Sequence, residues 1–149
     1  MCVINKIFWK RTYLFVEFSS EEPLDICLRN TKTGRTVPFE VKKLRKNCYR
    51  GKLNITIANG RDLLEEGRWL ITSADGTPLT EFAPCFKENP YIGQRVFRYT
   101  QRFYSYAFRM ECTDEGIVMI NGHYASVKKN KDADDFRRDF FGADQGGAR

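Results

Sequence analysis

With 149 residues, 42% of them apolar and 14% aromatic, the chain is long enough to bury a core of its own and too apolar for a disordered segment. Its net charge of +6 suits anionic partners such as nucleic acid, acidic lipid or a phosphate-rich polymer, although a modest positive charge also serves solubility alone. The five cysteines are odd in number, widely spaced and without a CxxC pair, and there is a single histidine, so no ready zinc or redox motif is present.

The expectation for the cysteines is buried free thiols in a reducing compartment. The apolar run Ile7, Phe8 and Trp9 is too short for an export signal, and no stretch approaches bilayer length, which points to the cytoplasm. Residues 7–18 have the aromatic and β-branched composition of a strand, apolar on both faces in the middle, and residues 19–23 break it. Leu24, Ile26 and Leu28 then alternate with Asp25, Cys27 and Arg29, residues 30–34 form a turn, and Val37, Phe39 and Val41 return on one face, predicting a hairpin. Residues 42–47 read as a charged connection. Tyr49, Gly51, Leu53, Ile55 and Ile57 resume the alternation, and a helical turn is expected near residues 61–66, closed by Gly67.

Trp69 and Ile71 mark a short strand ended by the turn Asp75, Gly76, Thr77 and Pro78. Trp69 is expected to anchor the core between two sheets. Residues 79–93 read as a long connection, and the second half of residues 94–112 alternates as a strand. Residues 117–120 form its partner, Asn121 and Gly122 a tight turn, and residues 123–127 a last short strand. Short strands separated by turns every eight to twelve residues predict an all-β chain. The expected architecture is an antiparallel, immunoglobulin-like β-sandwich of about seven or eight strands, with a barrel as the alternative. Residues 1–127 form this domain. Residues 128–149 read as a charged tail or linker, with a short amphipathic helix around Phe136 and Phe140 as an alternative.

Charge is concentrated in residues 29–52. Arg29, Lys32, Arg35, Lys42 and Lys43 are followed by Arg45, Lys46, Arg50 and Lys52, with only Glu40 opposing them, a local net of +8. The functional reading is an anion-binding face, in which lysines act as point charges and arginines as phosphate forks. The structural reading is outward strand positions that discourage edge pairing. A second stretch interleaves Arg95, Arg98, Arg102 and Arg109 with Phe97, Tyr99, Phe103, Tyr104 and Tyr106, a mixture suited to single-stranded nucleic acid but equally to core rings between surface arginines.

His123 has no evident nucleophile beside it. Asp62, Glu65 and Glu66, like Asp132, Asp134 and Asp135, sit in polar segments where carboxylate pKa tuning is hard to arrange. No GxSxG, HExxH or phosphate-cradling glycine loop occurs, so neither catalysis, metal nor cofactor is expected.

Three stretches carry a family resemblance: residues 10–16 leading to Leu24–Arg29, then Leu63, Leu64, Gly67 and Trp69, then residues 106–120 as a closing strand–turn–strand. Together they resemble the non-catalytic β-sandwich domains attached to bacterial CDP-glycerol glycerophosphotransferases and related teichoic-acid biosynthesis proteins. The resemblance spans residues 10–120 and rests on structural motifs, and the transferase domain and its catalytic histidines have no counterpart. It implies an accessory module of cell-surface polymer assembly that meets an anionic polymer, a membrane surface or a transferase domain through its basic residues. A nucleic-acid-binding β domain using Arg98, Tyr99, Arg102 and Phe103 with the same basic stretch is the alternative, and a scaffold docking another protein through a sheet edge is a third.

Overall fold

The computed structural model describes residues 2–99 and 104–125. Among these residues ten strands, against the seven or eight expected, form two antiparallel sheets with almost no helix. The chain enters through β1 (Cys2–Lys10) and β2 (Tyr13–Ser20), followed by β3 (Ile26–Asn30), β4 (Thr36–Pro38), β5 (Glu40–Arg45) and β6 (Cys48–Asn54). After a 3-10 turn at Ile55–Ile57 come β7 (Gly67–Ser73), a short helix α1 (Pro84–Glu88), β8 (Tyr91–Tyr99), β9 (Tyr104–Thr113) and β10 (Gly116–Ala125). One sheet has the order β1-β2-β6-β5, the other β4-β3-β7-β10-β9-β8.

The sheets are joined by a core that alternation along the strands dictates. Leu14, Val16 and Phe18 of β2 and Tyr49 and Leu53 of β6 point inward, as do Ile26 and Leu28 of β3, Trp69 and Ile71 of β7, and Phe108 and Met110 of β9. Trp69 is 0% exposed and its indole N–H donates to the Glu65 carbonyl at 3.3 Å, so the expected anchor is in place. Trp9 of the four-stranded sheet meets Phe108 of the other at 5.9 Å between ring centroids.

Several local expectations are corrected. Residues 7–18 are not one strand but the two arms of a hairpin, reversed at Arg11 and Thr12 with Arg11 at φ 57°. No glycine, proline or asparagine marks this turn; an arginine holds the left-handed conformation at a cost of about 1 kcal/mol, which tertiary pairing of the two arms offsets. Residues 42–47 are not a connection, because Lys42, Lys43 and Arg45 lie in β5, and only Lys46 and Asn47 turn.

The helical turn near residues 61–66 does not form. Asn59 and Asp62 exchange backbone hydrogen bonds of 2.9 and 3.0 Å, and the Leu64 N–H donates to the Ile55 carbonyl. Gly60 and Arg61 hold positive φ in this tight reversal, which sends Leu63 and Leu64 into the core instead of along a helix face. Asn121 and Gly122 do not turn either. They lie inside β10, where the buried Asn121 amide donates to the carbonyls of Leu64 and Glu65 at 3.2 and 2.9 Å, tying the loop before β7 to the sheet.

The predicted hairpin at β3 and β4 is present. The Asn30 carboxamide oxygen accepts from the N–H groups of Lys32 and Thr33, and Gly34 at φ 77° closes the turn. Beyond Pro38 the chain changes sheets at the buried Phe39, so Val41 belongs to the four-stranded sheet and not to this hairpin. The 128–149 segment lies outside the described residues.

Candidate polyanion-binding face

Residues directly opposite in an antiparallel ladder share a face. Since Leu14, Val16 and Phe18 are buried, Tyr13, Phe15 and Glu17 face outward on β2, and the register carries that face across all four strands. One row runs Lys6, Glu17, Arg50, Lys42. The next runs Phe8, Phe15, Lys52, Glu40. A third holds Lys10, Tyr13 and Asn54, while Arg45 stands opposite Cys48 at the far end. Six cations therefore share this face with two carboxylates and three aromatic rings.

The phenyl rings of Phe8 and Phe15 stack at 4.9 Å with planes 9° apart, and Tyr13 lies 6.2 Å from Phe15. Cations lie over all three: Lys6 Nζ is 4.9 Å from the Phe8 centroid, Lys52 Nζ is 5.0 Å from Tyr13, and the Arg50 guanidinium is 5.9 and 5.7 Å from Phe8 and Phe15. Arg50 also binds the Glu17 carboxylate at 2.7 Å, which cancels its charge locally. Lys6, Lys10, Lys42, Arg45 and Lys52 have no carboxylate partner among the described residues. At the Tyr13 end the face opens into a cleft of about 340 Å³ lined by Tyr13, Pro38, Glu40, Lys52, Asn54 and Ile57, the last 57% exposed.

The basic run read from the sequence is divided by the crossing at Phe39. Lys42, Arg45, Arg50 and Lys52 come together on the outer face just described. Lys43 stands opposite the inward Tyr49 but is exposed on the edge strand, where a lysine discourages pairing with a further strand. Lys46 is exposed in the β5–β6 turn. Arg29 and Lys32 belong to the other sheet and its hairpin turn. Arg35 is committed to structure, binding Glu65 at 2.8 Å and donating to the Ala58 carbonyl.

Lys6, Phe8, Lys10, Tyr13 and Phe15 were not anticipated from the sequence. A reversal at Arg11 is the signal that places them, because the alternation on either side of it then puts all five on one face.

Arg29 borders a second cleft, of about 500 Å³, with Thr31, Thr72, Asp75, Gly76 and Glu115. The Ser73 hydroxyl, followed by the Thr77 N–H, holds the Asp75 carboxyl below its usual range, and Arg68 is paired with Glu115 at 2.8 Å. With Arg29 the one cation in its lining against two carboxylates, this cleft is a poorer place for an anion than the four-stranded face, where six cations meet two carboxylates.

Of the aromatic–arginine stretch, Tyr106 points into the core, and Arg109 lies 5.1 Å from the Tyr91 ring and 3.4 Å from Glu111. Arg95, Phe97, Arg98 and Tyr99 occupy β8, and Tyr104 starts β9. Arg102 and Phe103 lie outside the described residues, as do Asp132, Asp134 and Asp135. His123 pairs with Tyr106 along β10. Asp62 accepts from its neighbour's N–H and Glu65 holds Arg35, so these two carboxylates serve local structure. No group of His, Cys, Asp or Glu able to hold a metal ion occurs among the described residues. No helix there is long and apolar enough to cross a membrane.

All five cysteines are free thiols, but of the burial expected for them Cys27 alone has it: Cys2, Cys48 and Cys112 are half-buried and Cys85 is exposed. Burial pushes Cys2 up to about 11, and burial, then the Cys85 thiol and Glu111, push Cys112 up to about 11. A raised thiol pKa means less thiolate near neutral pH, and the thiolate is the nucleophile. Iodoacetamide near neutral pH is therefore expected to label the exposed Cys85 before Cys2 and Cys112, as read by peptide mass spectrometry, and denaturation should abolish the difference.

No protein-family model matches the chain and no curated protein matches it, so its function is read from the face itself.

Proposed function

We propose that this chain is a non-catalytic binding module that engages a linear phosphodiester polymer through the outer face of its four-stranded sheet. The observation that supports this reading is the set of cations, without a carboxylate partner among the described residues, spread over that face. Lys6 and Lys10 stand on one edge strand, Lys42 and Arg45 on the other, and Lys52 lies between. Cations distributed over the full width of a sheet suit a long chain of phosphates better than a single small anion. The resemblance to accessory domains of teichoic-acid biosynthesis proteins adds a context, in which the polymer is glycerol phosphate and the partner a transferase domain at the cytoplasmic membrane surface. Nucleic acid presents the same backbone chemistry.

Counterion release gives the test. Five phosphate contacts predict that log affinity falls with log salt with a slope of about −3.5 to −4.5. Titrations of the purified protein with poly(glycerol phosphate) and with an oligonucleotide, at several salt concentrations, measure this slope and separate the two sources. Binding that ignores salt, or binding to anionic vesicles with neither polymer bound, would overturn the reading.

A further inference from the structure

We infer that the polymer this face is built for carries planar rings, that is, a single-stranded nucleic acid. The inference rests on the phosphodiester reading above and adds a ligand class to it. Cations alone suffice for a ring-free phosphate chain such as poly(glycerol phosphate). Such a chain leaves three adjacent outward aromatic rings without a role, at positions where the solvent side of a sandwich is ordinarily polar.

Phe8, Phe15 and Tyr13 form a continuous series, with steps of 4.9 and 6.2 Å, that crosses from β1 to β2 and then follows β2. Their side chains are only half-buried. The series ends at Tyr13, at the mouth of the cleft of about 340 Å³. There the Glu40 carboxylate can accept from the edge of a base, and the Asn54 side-chain N–H, whose carboxamide oxygen is held by Thr56, can donate to it. The rings thus supply a stacking track, and the cleft supplies a place for a base turned out at one end of it.

The cations are placed for the other half of the ligand. Lys6 and Lys52 now lie over Phe8 and Tyr13. In the complex they move onto phosphates and release the ring faces to bases, because a phosphate attracts an ammonium group more strongly than a ring does. Arg50 stays where Glu17 holds it, its guanidinium beside both phenyl rings, and offers a further plane on which a base stacks. Stacking accepts any base, so binding should show little sequence preference.

The competing explanation is that the Phe8–Phe15 pair serves only to hold two strands together, with cations shielding it from water. The test separates the two on the native protein. An oligothymidylate of about twelve nucleotides is compared at fixed salt with an abasic deoxyribose-phosphate strand of equal length and with poly(glycerol phosphate). The expected result is roughly tenfold or tighter binding of the base-bearing strand. Phe15→Leu and Tyr13→Leu, shown by melting curves to remain folded, should each remove most of that advantage while leaving affinity for the abasic strand within about twofold.

Equal affinity for abasic and base-bearing strands would overturn the inference and leave the phosphodiester reading standing. An advantage that survives both substitutions would place base recognition elsewhere and overturn it as well. Absence of binding to all three polymers would remove both.

Discussion

Replacing Lys10, Lys42 and Arg45 together by glutamate is expected to lower affinity for a phosphodiester polymer by about a hundredfold at low salt and to flatten the salt dependence by about two units of slope. All three side chains are exposed, none has a carboxylate partner among the described residues, and they lie on the two edge strands of the sheet. Stability should therefore change little, because exposed substitutions away from special contacts stay within about 0.5 kcal/mol each. Lys42→Glu even faces Arg50 across the strands, where an opposite charge is favourable. The control is an equal change in net charge placed elsewhere: Lys32, Arg61 and Lys87 to glutamate, none of them on these four strands. If total charge governs binding, both variants lose affinity alike. If the four-stranded face governs it, only the first does. Isothermal titration at two salt concentrations distinguishes these results.

That experiment also bears on how the site is encoded. The run of basic residues from Arg29 to Lys52 is contiguous in the chain but not in space, since the crossing at Phe39 sends Arg29, Lys32 and Arg35 to one sheet and Lys42 onward to the other. A linear charge count has no access to that division, because it is set by tertiary pairing. The β3–β4 hairpin was legible for the opposite reason: alternating Ile26 and Leu28, an Asn30 side chain that builds its own turn, and Gly34 in the left-handed region are all local signals. Trp69 as the inter-sheet anchor was legible too, from a large ring early in a short strand with Ile71 on the same side.

The aromatic half of the face was hidden by a single turn. With Arg11 taken as an ordinary strand residue, Phe8 and Phe15 read as parts of one strand buried on both sides. With Arg11 at φ 57° they become cross-strand neighbours on a solvent face. Edge strand β5 was hidden by its composition, since Lys42, Lys43 and Arg45 look like a loop but are what an edge strand needs to resist further pairing. Asn121 read as a turn because asparagine followed by glycine so often is one. Here its amide instead satisfies two carbonyls of the preceding loop, a long-range demand that no local pattern displays.

The face depends on how closely the sheets approach behind it, and Gly51 sets that distance. It lies in β6 between the outward Arg50 and Lys52, and its own missing side chain points inward. A Cβ there would stand 2.9 Å from Ile26 Cδ1 and 3.2 Å from Phe39 Cβ. On strand propensity alone, Gly51→Val should stabilise β6 by up to about 1 kcal/mol. Overpacking works against it and is the larger effect, about 3 kcal/mol for a branched side chain in a gap already closed to a single carbon. The expected result is a net loss of about 2 kcal/mol, read from urea unfolding.

The nearer clash is with one methyl group, which provides a sharper check. Ile26→Val removes Cδ1 and alone costs about 1 kcal/mol. Combined with Gly51→Ala, the two changes should be less destabilising than their sum by at least about 0.5 kcal/mol, the sign expected of residues competing for one space. Additive costs would mean that the backbone yields and the sheets separate instead. Arg50 and Lys52 would then shift relative to Phe15 and Tyr13, and polymer affinity would fall in a variant whose outward residues are all unchanged.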